Sequence, residues 1–566
     1  MHLHLIRLTL ETVSPLSLGS GRVVRRRRPT PTATGDKTEE HAADAIVRDA
    51  NGLPTLPGPS YQGVLKRLAR TEWGRTQAEE IFGIEGDRPE DGKMGTVDCG
   101  WGLVHDARDN AVRPLPGLAG NDAVLDWLRE EAPLWRDHVA LGHQLSVEGR
   151  KKFARAAVPR GARFSLELAH LAPGDDVTLI KVAALFRHPE FRLGSARNRG
   201  YGRLRVIRAS HSCIALKESV ALRRLRAQAP SVALATDLLA DPRFAPPEGQ
   251  TTVLTVRLTA DGLLRMGAAT EATAALTAGS HGARAVSDGT SAAWWDEDTR
   301  QQDADQTGQK KGADNTLRLL TEPVIAYPPD GTAGSAEVIT AQHVIKTGAW
   351  TKLARLGFPV PGSQLRQPVA HRSLFNLNRA AGRVVDAEAY VRADNAGKAR
   401  MEAELADHSR RPAELAELFG AAKGPSVNGK PSPGRAGRLL ADDSEITAEW
   451  VMAVDHASID RFTGSVRDRT GALFAEEVLY GAKLEASFRI SPRLDTRGQA
   501  IGGWPPEVCD AFLKALRDLC TGHLPIGARS LGACNGWVHI GGHDADTWRE
   551  RAMALGLPLA EGEARQ

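Results

Sequence analysis

The sequence predicts an α+β protein built from two similar halves, on the basis of three observations. Several short features recur in the same order about 300 residues apart. Each half reads as a strand, a loop, a helix, a long irregular middle, two strands, a second helix and a last strand. A chain of 566 residues, 42% hydrophobic and 25% charged, is long enough for two or three globular cores. This order predicts two tandem ferredoxin-like βαββαβ domains with long insertions in their loops.

Each half opens with a strand and then turns a corner into a helix. His2–Leu10 alternates along its length, as a strand with one buried face does, and Thr252–Leu258 opens the second half in the same way. The corners lie in Asp44–Leu68 and Gly357–Arg372, and both contain a Pro-Gly pair. Because proline and glycine favour turns, each pair is expected to stop one element before the next begins.

The first corner is predicted to present an anion site. Ser60 is expected to cap a helix over Tyr61–Leu68, which would leave the first amides of the helix facing outward. Lys66 and Arg67 add positive charge further along the same helix.

The other repeated features follow the corners in the same order in both halves. They are the Phe-Gly pairs at Ile81–Gly83 and Leu418–Gly420, the His-containing segments His138–His143 and His456–Arg461, the strand pairs in Gly149–Leu168 and Thr470–Ile490, and the glycine-rich turns in Phe191–Ile207 and Leu524–Ile540. Such an ordered set indicates a tandem duplication. Asp122–Arg129 and Pro506–Thr521 are predicted as further helices.

The repeat sets the predicted domain boundaries. The first domain covers 1–215, a linker follows over 216–250, the second domain covers 251–543, and a tail covers 544–566. Two insertions interrupt the second domain, at about 268–315 and 383–435. The first contains Trp294-Trp295 and has a loop-like composition, whereas Arg383–Glu417 within the second has a helical one.

Composition and motifs exclude several classes of protein. The sequence has no apolar run long enough to span a bilayer and no cleavable leader, so a cytoplasmic protein without a membrane partner is expected. Its five cysteines form no CxxC pair, and it contains no P-loop, GxGxxG after a strand or HExxH motif. The net charge is only +4, so basicity is local, as in the run Arg25–Arg28, which we expect in a loop.

Taken together, these segments resemble the RAMP superfamily, the backbone proteins of type III CRISPR effector complexes. The resemblance rests on VRDANGLPTLPGPSYQGVLKR, IFG, HASIDRFTG and LGSARNRGYGRL, and it covers most of both halves. It implies a modified ferredoxin-like, RNA-recognition-type fold and a fusion of two backbone units, similar to type III-D-like systems. The implied partners are a CRISPR guide RNA, a target RNA, a large polymerase-like subunit, and other backbone and small subunits.

The resemblance also implies a cleaving acid in the first half. Asp44 is the nearest match to the aspartate that lies in the loop before the corner in cutting members, and it would bind Mg²⁺ or another divalent cation. Asp49 is expected to make local hydrogen bonds in the turn, and Asp36 is a weaker alternative. The second half has no aspartate at the matching place before Gly357, and Asp314 and Asp330 align poorly. One active site, or none, is therefore expected.

The remaining predicted site residues are RNA contacts. Arginines beside exposed glycine-turn amides suit phosphate, and an arginine–aromatic pair suits bases. The predicted contacts are Arg25, Arg26, Arg27, Arg28, Arg48, Gly58, Ser60, Lys66, Arg67, Arg197, Arg199, Arg203, Ser363, Arg366, His371, Arg372, Arg461, Phe462 and Arg529.

Three functions remain open at this stage. The first is a guide-binding subunit that holds guide paired with target RNA and cuts the target at the first repeat. The second is the same scaffold without chemistry, as a guide-binding or capping subunit. The third is a guide-processing endoribonuclease, which commonly uses a histidine as acid or base. His138, His143 and His456 have no persuasive base partner in the sequence, so the third ranks last.

Overall fold

The fold is described from a computed structural model of the chain. Backbone structure is described for residues 1–32, 35–84, 92–112, 121–141, 147–174, 176–217, 236–247, 249–267, 283–288, 290–292, 319–329, 332–421, 424–427, 430–432, 434–457, 473–494, 500–527 and 532–561. Within these ranges the side chains of 27–32, 35–41, 139–141, 147–152, 291–292, 406, 424–427, 430–432, 455–457 and 473–475 are left undescribed.

The first half contains thirteen described strands and four described α-helices. The strands are β1 His2–Thr12, β2 Gly19–Thr32, β3 Gly35–Ile46, β4 Thr55–Leu56, β5 Gly83–Ile84, β6 Lys93–Met94, β7 Val97–Cys99, β8 Gly102–Val104, β9 Leu134–Leu141, β10 Val147–Ala157, β11 Arg163–Ala172, β12 Leu204–Ala215 and β13 Thr236–Asp237. The helices are α1 Gly58–Trp73, α2 Arg75–Phe82, α3 Ala123–Arg129 and α4 Val177–Ala184.

The second half is richer in helix. Its described strands are β14 Thr252–Ala260, β15 Leu263–Leu264, β16 Ala283–Ala285, β17 Ser291–Ala292, β18 Val324–Ala326, β19 Glu337–Ile339, β20 Phe358–Val360, β21 Gly424–Val427, β22 Lys430–Ser432, β23 Leu439–Ala441, β24 Ser444–Thr447, β25 Trp450–Ala457, β26 Leu473–Tyr480, β27 Lys483–Ile490 and β28 Cys534–Gly542. Its helices are α5 Ala341–Thr347, α6 Leu353–Leu356, α7 Gly362–Ala380, α8 Ala387–Arg392, α9 Asn395–His408, α10 Ala413–Phe419, α11 Pro506–Cys520 and α12 Ala545–Ala554.

The main sheets of the two halves have the same strand order. In the first half the strands lie in the order β12-β1-β11-β8-β4, with β13 beside β12, and β7 also pairs with β11. In the second half the order is β28-β14-β27-β24-β20, and β23 also pairs with β27. In both sheets the opening strand lies between two long strands, β12 and β11 in the first half and β28 and β27 in the second, and a helix (α4 or α11) connects these two along the chain. The mixed α+β class predicted from the sequence is therefore confirmed.

The two corners dock their helices on the sheets in the same way. A Cβ added to Gly58 would lie 2.0 Å from the carbonyl oxygen of Cys99, at the end of β7. A Cβ added to Gly362 would lie 2.2 Å from the carbonyl oxygen of Ala441, at the end of β23. Since both approaches leave no room for a side chain, glycine opens each helix at the place where it touches a strand.

Each half has its own hydrophobic core between the main sheet and its helices. The first core includes Leu8 of β1, Leu65 of α1 and Ile180 of α4, and the second includes Val256 of β14, Val369 of α7 and Phe512 of α11. These core residues lie on the faces where the sequence places apolar residues periodically.

The halves are packed against each other. Ile325 of β18 belongs to the first core, although it comes from the second half. Its amide donates to the carbonyl oxygen of Arg160 at 2.9 Å. Phe244, in the predicted linker, is also buried in the first core. The end of the predicted linker and the β18–β19 hairpin are therefore part of the structure around the first sheet.

Several predicted element boundaries need correction. Helix α1 begins at Gly58 with Pro57 as its N-cap, so Ser60 is inside the helix and does not cap it. The run Arg25–Arg28 lies in strand β2 and not in a loop. Strand β3 runs to Ile46, so Asp44 is a strand residue rather than a loop residue.

A further set of sequence predictions falls outside the described residues. These are Trp294-Trp295, Asp314, Asp330, Arg461, Phe462, Arg529 and His143, together with the side chains of Asp36 and His456.

Among the described residues, no helix combines the length and the apolar character that crossing a membrane requires.

Candidate nucleic-acid interface

A second sheet of the first half brings the predicted acid and several basic residues together. Its strand order is β2-β3-β10-β9. Val23, Asp44, Arg155 and Arg136 are successive cross-strand partners in this sheet. Because side chains alternate along a strand, these four share one face, whereas the neighbouring Ala43 and Ala154 are buried in the first core. We call this the Asp44 face.

Asp44 is open to solvent on this face. Its side chain is 64% exposed, and a carboxylate oxygen lies 3.5 Å from the Nη1 atom of Arg155. The Nη1 atom of Arg155 also donates to the Ser195 Oγ at 2.9 Å. Ser195 belongs to the glycine-rich turn, so Arg155 links the predicted acid to the predicted RNA-contacting turn.

The glycine-rich turn folds over the Asp44 face. Arg197–Arg199 form a 3₁₀ turn that is preceded by Ala196 with a φ of 56°. Gly200 has a φ of 101°, and a Cβ there would lie 1.6 Å from the Oδ1 atom of Asp443 in the second half. The next residue, Tyr201, is buried, and its hydroxyl and the Nε2 atom of His138 lie 2.8 Å apart. The glycine-rich turn is thus packed between the two halves.

An aromatic and arginine stack holds the turn. The His138 ring is stacked on Phe153 with centroids 5.1 Å apart, and the Arg199 guanidinium lies 5.3 Å from the Phe153 centroid. Burial, together with the positive charges of Arg136, Arg199 and Arg155, lowers the pKa of His138 to about 3. Burial and the nearby Arg155 also lower the pKa of Arg199. His138 is therefore a neutral structural residue, in agreement with its low rank as an acid or base.

Acidic residues of the second half enter this region. Arg136 makes a bidentate pair with Glu322 at 2.6 and 2.7 Å and a further bond to Asp443 at 2.7 Å. The other oxygen of Asp443 accepts from the Gly362 amide at 2.7 Å. Burial raises the pKa of Asp443, and the positive charge of Arg136 opposes that rise. At the second corner, the first amide of helix α7 therefore already donates a hydrogen bond to the Asp443 carboxylate.

The neighbouring carboxylate of Asp442 forms ion pairs with three arginines. Arg192 forms a short buried ion pair with it, Arg489 lies 3.0 Å away and Arg203 3.4 Å away. Arg203, a predicted RNA contact, is thus part of the junction between the halves. Arg197 is partly buried next to Arg67, and burial followed by that charge lowers its pKa.

Several predicted RNA contacts of the first corner are bonded within the chain. Arg48 donates to the carbonyl oxygens of Gly52 and Leu128 at 2.6 and 2.8 Å. Lys66 donates to the Gly83 carbonyl oxygen at 2.7 Å, at the C-terminal end of α2. Arg67 lies 3.3 Å from Glu190. These bonds favour a structural role. Ser60 is exposed and Gly58 is buried.

The predicted contacts of the second corner are similarly occupied. Arg366 is buried and donates to the Phe419 carbonyl oxygen, and burial with the charges of Arg411 and Arg199 lowers its pKa to about 9. His371 bonds Gln367 at 2.7 Å, and Arg372 donates to the His523 carbonyl oxygen at 2.8 Å.

Ser363 is half-buried near the start of α7, and Arg25 and Arg26 are exposed on β2. The side chains of Arg27 and Arg28 lie outside the described part. Asp49 accepts from the amides of Asn51 and Leu53 at 2.8 and 3.0 Å, which confirms its predicted local role.

Sequence reasoning missed Arg155, Phe153 and the Asp442–Asp443 pair. Arg155 lies in GRKKFARAAVPRG, where its row partner Asp44 is more than a hundred residues away. The pair Asp442–Asp443 carries no motif. Strand register brings Arg155 beside Asp44.

A divalent cation at Asp44 would have few protein ligands. Within the described part of the chain, the single group of three closely spaced metal-ligating side chains is His2, His4 and Cys213, which does not include Asp44. Mg²⁺ is commonly held by one or two carboxylates, with waters and substrate phosphates completing its shell. The exposed Asp44 carboxylate fits that pattern as the one protein ligand.

Comparison with known proteins gives one family match, in the first half. Residues 9–205 match the family model of the RAMP superfamily. No curated protein matches the chain.

Among solved structures, a chain of the "Cryo-EM structure of the Type III-B Cmr-beta bound to cognate target RNA" is similar, with 13% identity and a TM-score of 0.23. The match covers 37% of this chain and 60% of that chain.

Proposed function

We propose that the chain is a double backbone subunit of a type III CRISPR ribonucleoprotein, in which two ferredoxin-like RAMP domains hold a guide RNA paired with target RNA. The observation that carries the proposal is the shared strand order of the two main sheets, one of which lies within the RAMP match. The same docking glycine at both corners supports the fusion of two related units. The other subunits of such a complex would be its partners, in the cytoplasm.

The Asp44 face is the proposed contact with the guide–target duplex. Arg155 and Arg199 border it, and Arg25 lies on β2 at the same edge. Arginines suit phosphate contacts, which position RNA without reading its sequence. With only 5% aromatic residues, the chain fits backbone and shape contacts, and base pairing between guide and target supplies specificity.

Cleavage of the target at the first half is the finer part of the proposal. Asp44 would hold the divalent cation, whose chemistry is to lower the charge on a phosphate and favour attack by the adjacent ribose hydroxyl. Arg155, 3.5 Å from the acid, would hold the phosphate beside it. The second half has no aspartate before its corner, so it would bind without cutting.

The decisive experiment compares Asp44→Asn with Asp98→Asn in the assembled complex. Asp98 is an exposed aspartate on β7, in a different sheet from Asp44. Cleavage of guide-complementary RNA should fall by at least about a hundredfold in Asp44→Asn and stay near wild type in Asp98→Asn. RNA binding should persist in both, because Asp44 contributes no positive charge. Unchanged cleavage by Asp44→Asn would remove this residue from the mechanism.

An inactive guide-binding or capping subunit is the second candidate. The ion pair with Arg155 favours it, because that pair partly neutralises the Asp44 carboxylate, and Asp44 belongs to no described group of three metal-ligating side chains. Under this alternative, wild-type complex binds target RNA and leaves it intact with or without Mg²⁺.

A further inference from the structure

One end of the first main sheet carries histidine and cysteine side chains that the RNA-binding function does not use. His4 of β1 is the cross-strand partner of Cys213 on β12. His2, two residues earlier on the same strand, faces the same side. The ligand atoms of His2, His4 and Cys213 all lie within 4.8 Å of one another.

The geometry within the cluster is close to that of a metal site. The Nε2 atom of His4 lies 4.0 Å from the Cys213 Sγ. Tetrahedral zinc with bonds of about 2.0–2.3 Å separates its ligand atoms by about 3.4–3.7 Å. A shift of a few tenths of an ångström in the exposed Cys213 side chain would bring this pair to that spacing, and the ligand atoms of the whole group start within 4.8 Å of one another.

His211 supplies an outer partner for the cluster. The Nδ1 atom of His4 lies 3.1 Å from the Nε2 atom of His211, and the rings are stacked with centroids 5.3 Å apart. A histidine that binds metal through one ring nitrogen commonly donates from the other, which fixes its tautomer and orientation. His4 is also only 1% exposed, so its ring is held in place.

The second half provides an internal contrast. Its corresponding strands, β14 and β28, pair Leu254 with Ile540, and both residues are buried. The first half differs in carrying imidazole and thiol side chains on its corresponding strands, β1 and β12.

We infer that His2, His4 and Cys213 form a zinc site that fastens β1 to the end of β12. Two imidazoles and one thiolate are ligands that zinc prefers, and water or a further donor takes the fourth position. β1 lies between β11 and β12 in the first main sheet. The metal would hold this end closed, close to the point where β12 leads out of the first half.

The test measures zinc binding by the full chain after metal is removed with a chelator. Wild type should bind one zinc ion, and Co²⁺ in its place should show a thiolate-to-cobalt absorption band. Cys213→Ser, at an exposed position, should lose the band and the ion. His343→Ala, which removes an exposed histidine on α5, is the matched control and should bind as wild type. His211→Ala should weaken zinc binding by roughly 10–100-fold.

Two further readouts do not depend on RNA binding or cleavage. Zinc should raise the melting temperature of wild type and leave that of Cys213→Ser unchanged, because only a bound ligand stabilises the native state. Zinc should also slow alkylation of Cys213, with the half-buried Cys99 as reference. Absence of a bound ion in wild type, or equal binding by Cys213→Ser, would overturn the site.

Discussion

His138 shows how a conspicuous residue of the sequence takes a structural role. It lies between Phe153 and Tyr201 under the glycine-rich turn, and it is only 8% exposed. Three arginines lie near the ring, Arg136 on the same strand and Arg155 and Arg199 on neighbouring elements. A proton on the imidazole would add a buried positive charge next to three others, so the neutral form is strongly favoured.

This environment predicts that protonation of His138 makes the fold less stable in acid. The pKa of His138 is about 3 in the fold and about 6.5 when unfolded, so between these values the unfolded chain binds the extra proton. Stability should therefore fall as the pH drops below about 6.5, by at most about 1.4 kcal/mol per pH unit from this group. Urea unfolding at several pH values measures the slope.

His138→Gln keeps a polar partner for Tyr201 and removes the titration, so its profile should be flatter than that of wild type between pH 4 and 6 (about the range of the shift). Replacement of the exposed His343 by alanine should leave the dependence of stability on pH unchanged. If His138→Gln lost stability toward acid as steeply as wild type, the buried neutral state would be wrong.

At the scale of elements, the glycine-rich turn depends on a close approach between the halves. Gly200 combines a positive φ of 101° with a Cβ position 1.6 Å from the Asp443 carboxylate. Any side chain there must displace Asp443 or the turn itself.

Gly200→Ala should destabilise the chain by several kcal/mol, on the order of the largest single-substitution effects. Gly63→Ala is the matched control, because Gly63 lies in α1 with no atom within 4 Å of an added Cβ. That change should be neutral or stabilising by about 0.5–1 kcal/mol, as for alanine in place of a helical glycine. Denaturant midpoints compare the two, and equal effects would contradict the docking of the turn.

The elements also show what the sequence can reveal. The opening strands β1 and β14 and the helices α1, α3 and α11 were predictable because their periodicity or capping residues are local. Strands β2 and β3 were not, because a run of arginines has no apolar face to mark a strand. Asp44 was found by resemblance, but its neighbour Arg155 was not, since strand register over a hundred residues has no local signature.

For the whole molecule, the central physical feature is a buried ionic junction. Arg136 of the first half pairs with Glu322 and Asp443 of the second, and these side chains are no more than 6% exposed. Such pairs are costly to break from one side, because the remaining charges stay buried without a partner.

Arg136→Met should lower the free energy of unfolding by roughly 3–5 kcal/mol. It should also separate the unfolding of the two halves into two transitions. Arg392→Ala, which removes an exposed ion pair with Glu388 on α8, should cost less than about 1 kcal/mol. Calorimetry distinguishes the cases, and a single transition at the wild-type temperature in Arg136→Met would show that the junction does not couple the halves.

The proposal that the chain is a guide-binding backbone subunit is tested most directly by the RNA that the protein retains. The complex is purified through this chain from cells carrying its own CRISPR array and crosslinked, and the bound RNA is sequenced. The proposed function predicts RNAs that share one repeat-derived end followed by different spacers, with crosslinks at the Asp44 face and the glycine-rich turn. Unrelated RNA fragments, or crosslinks confined to other surfaces, would contradict it.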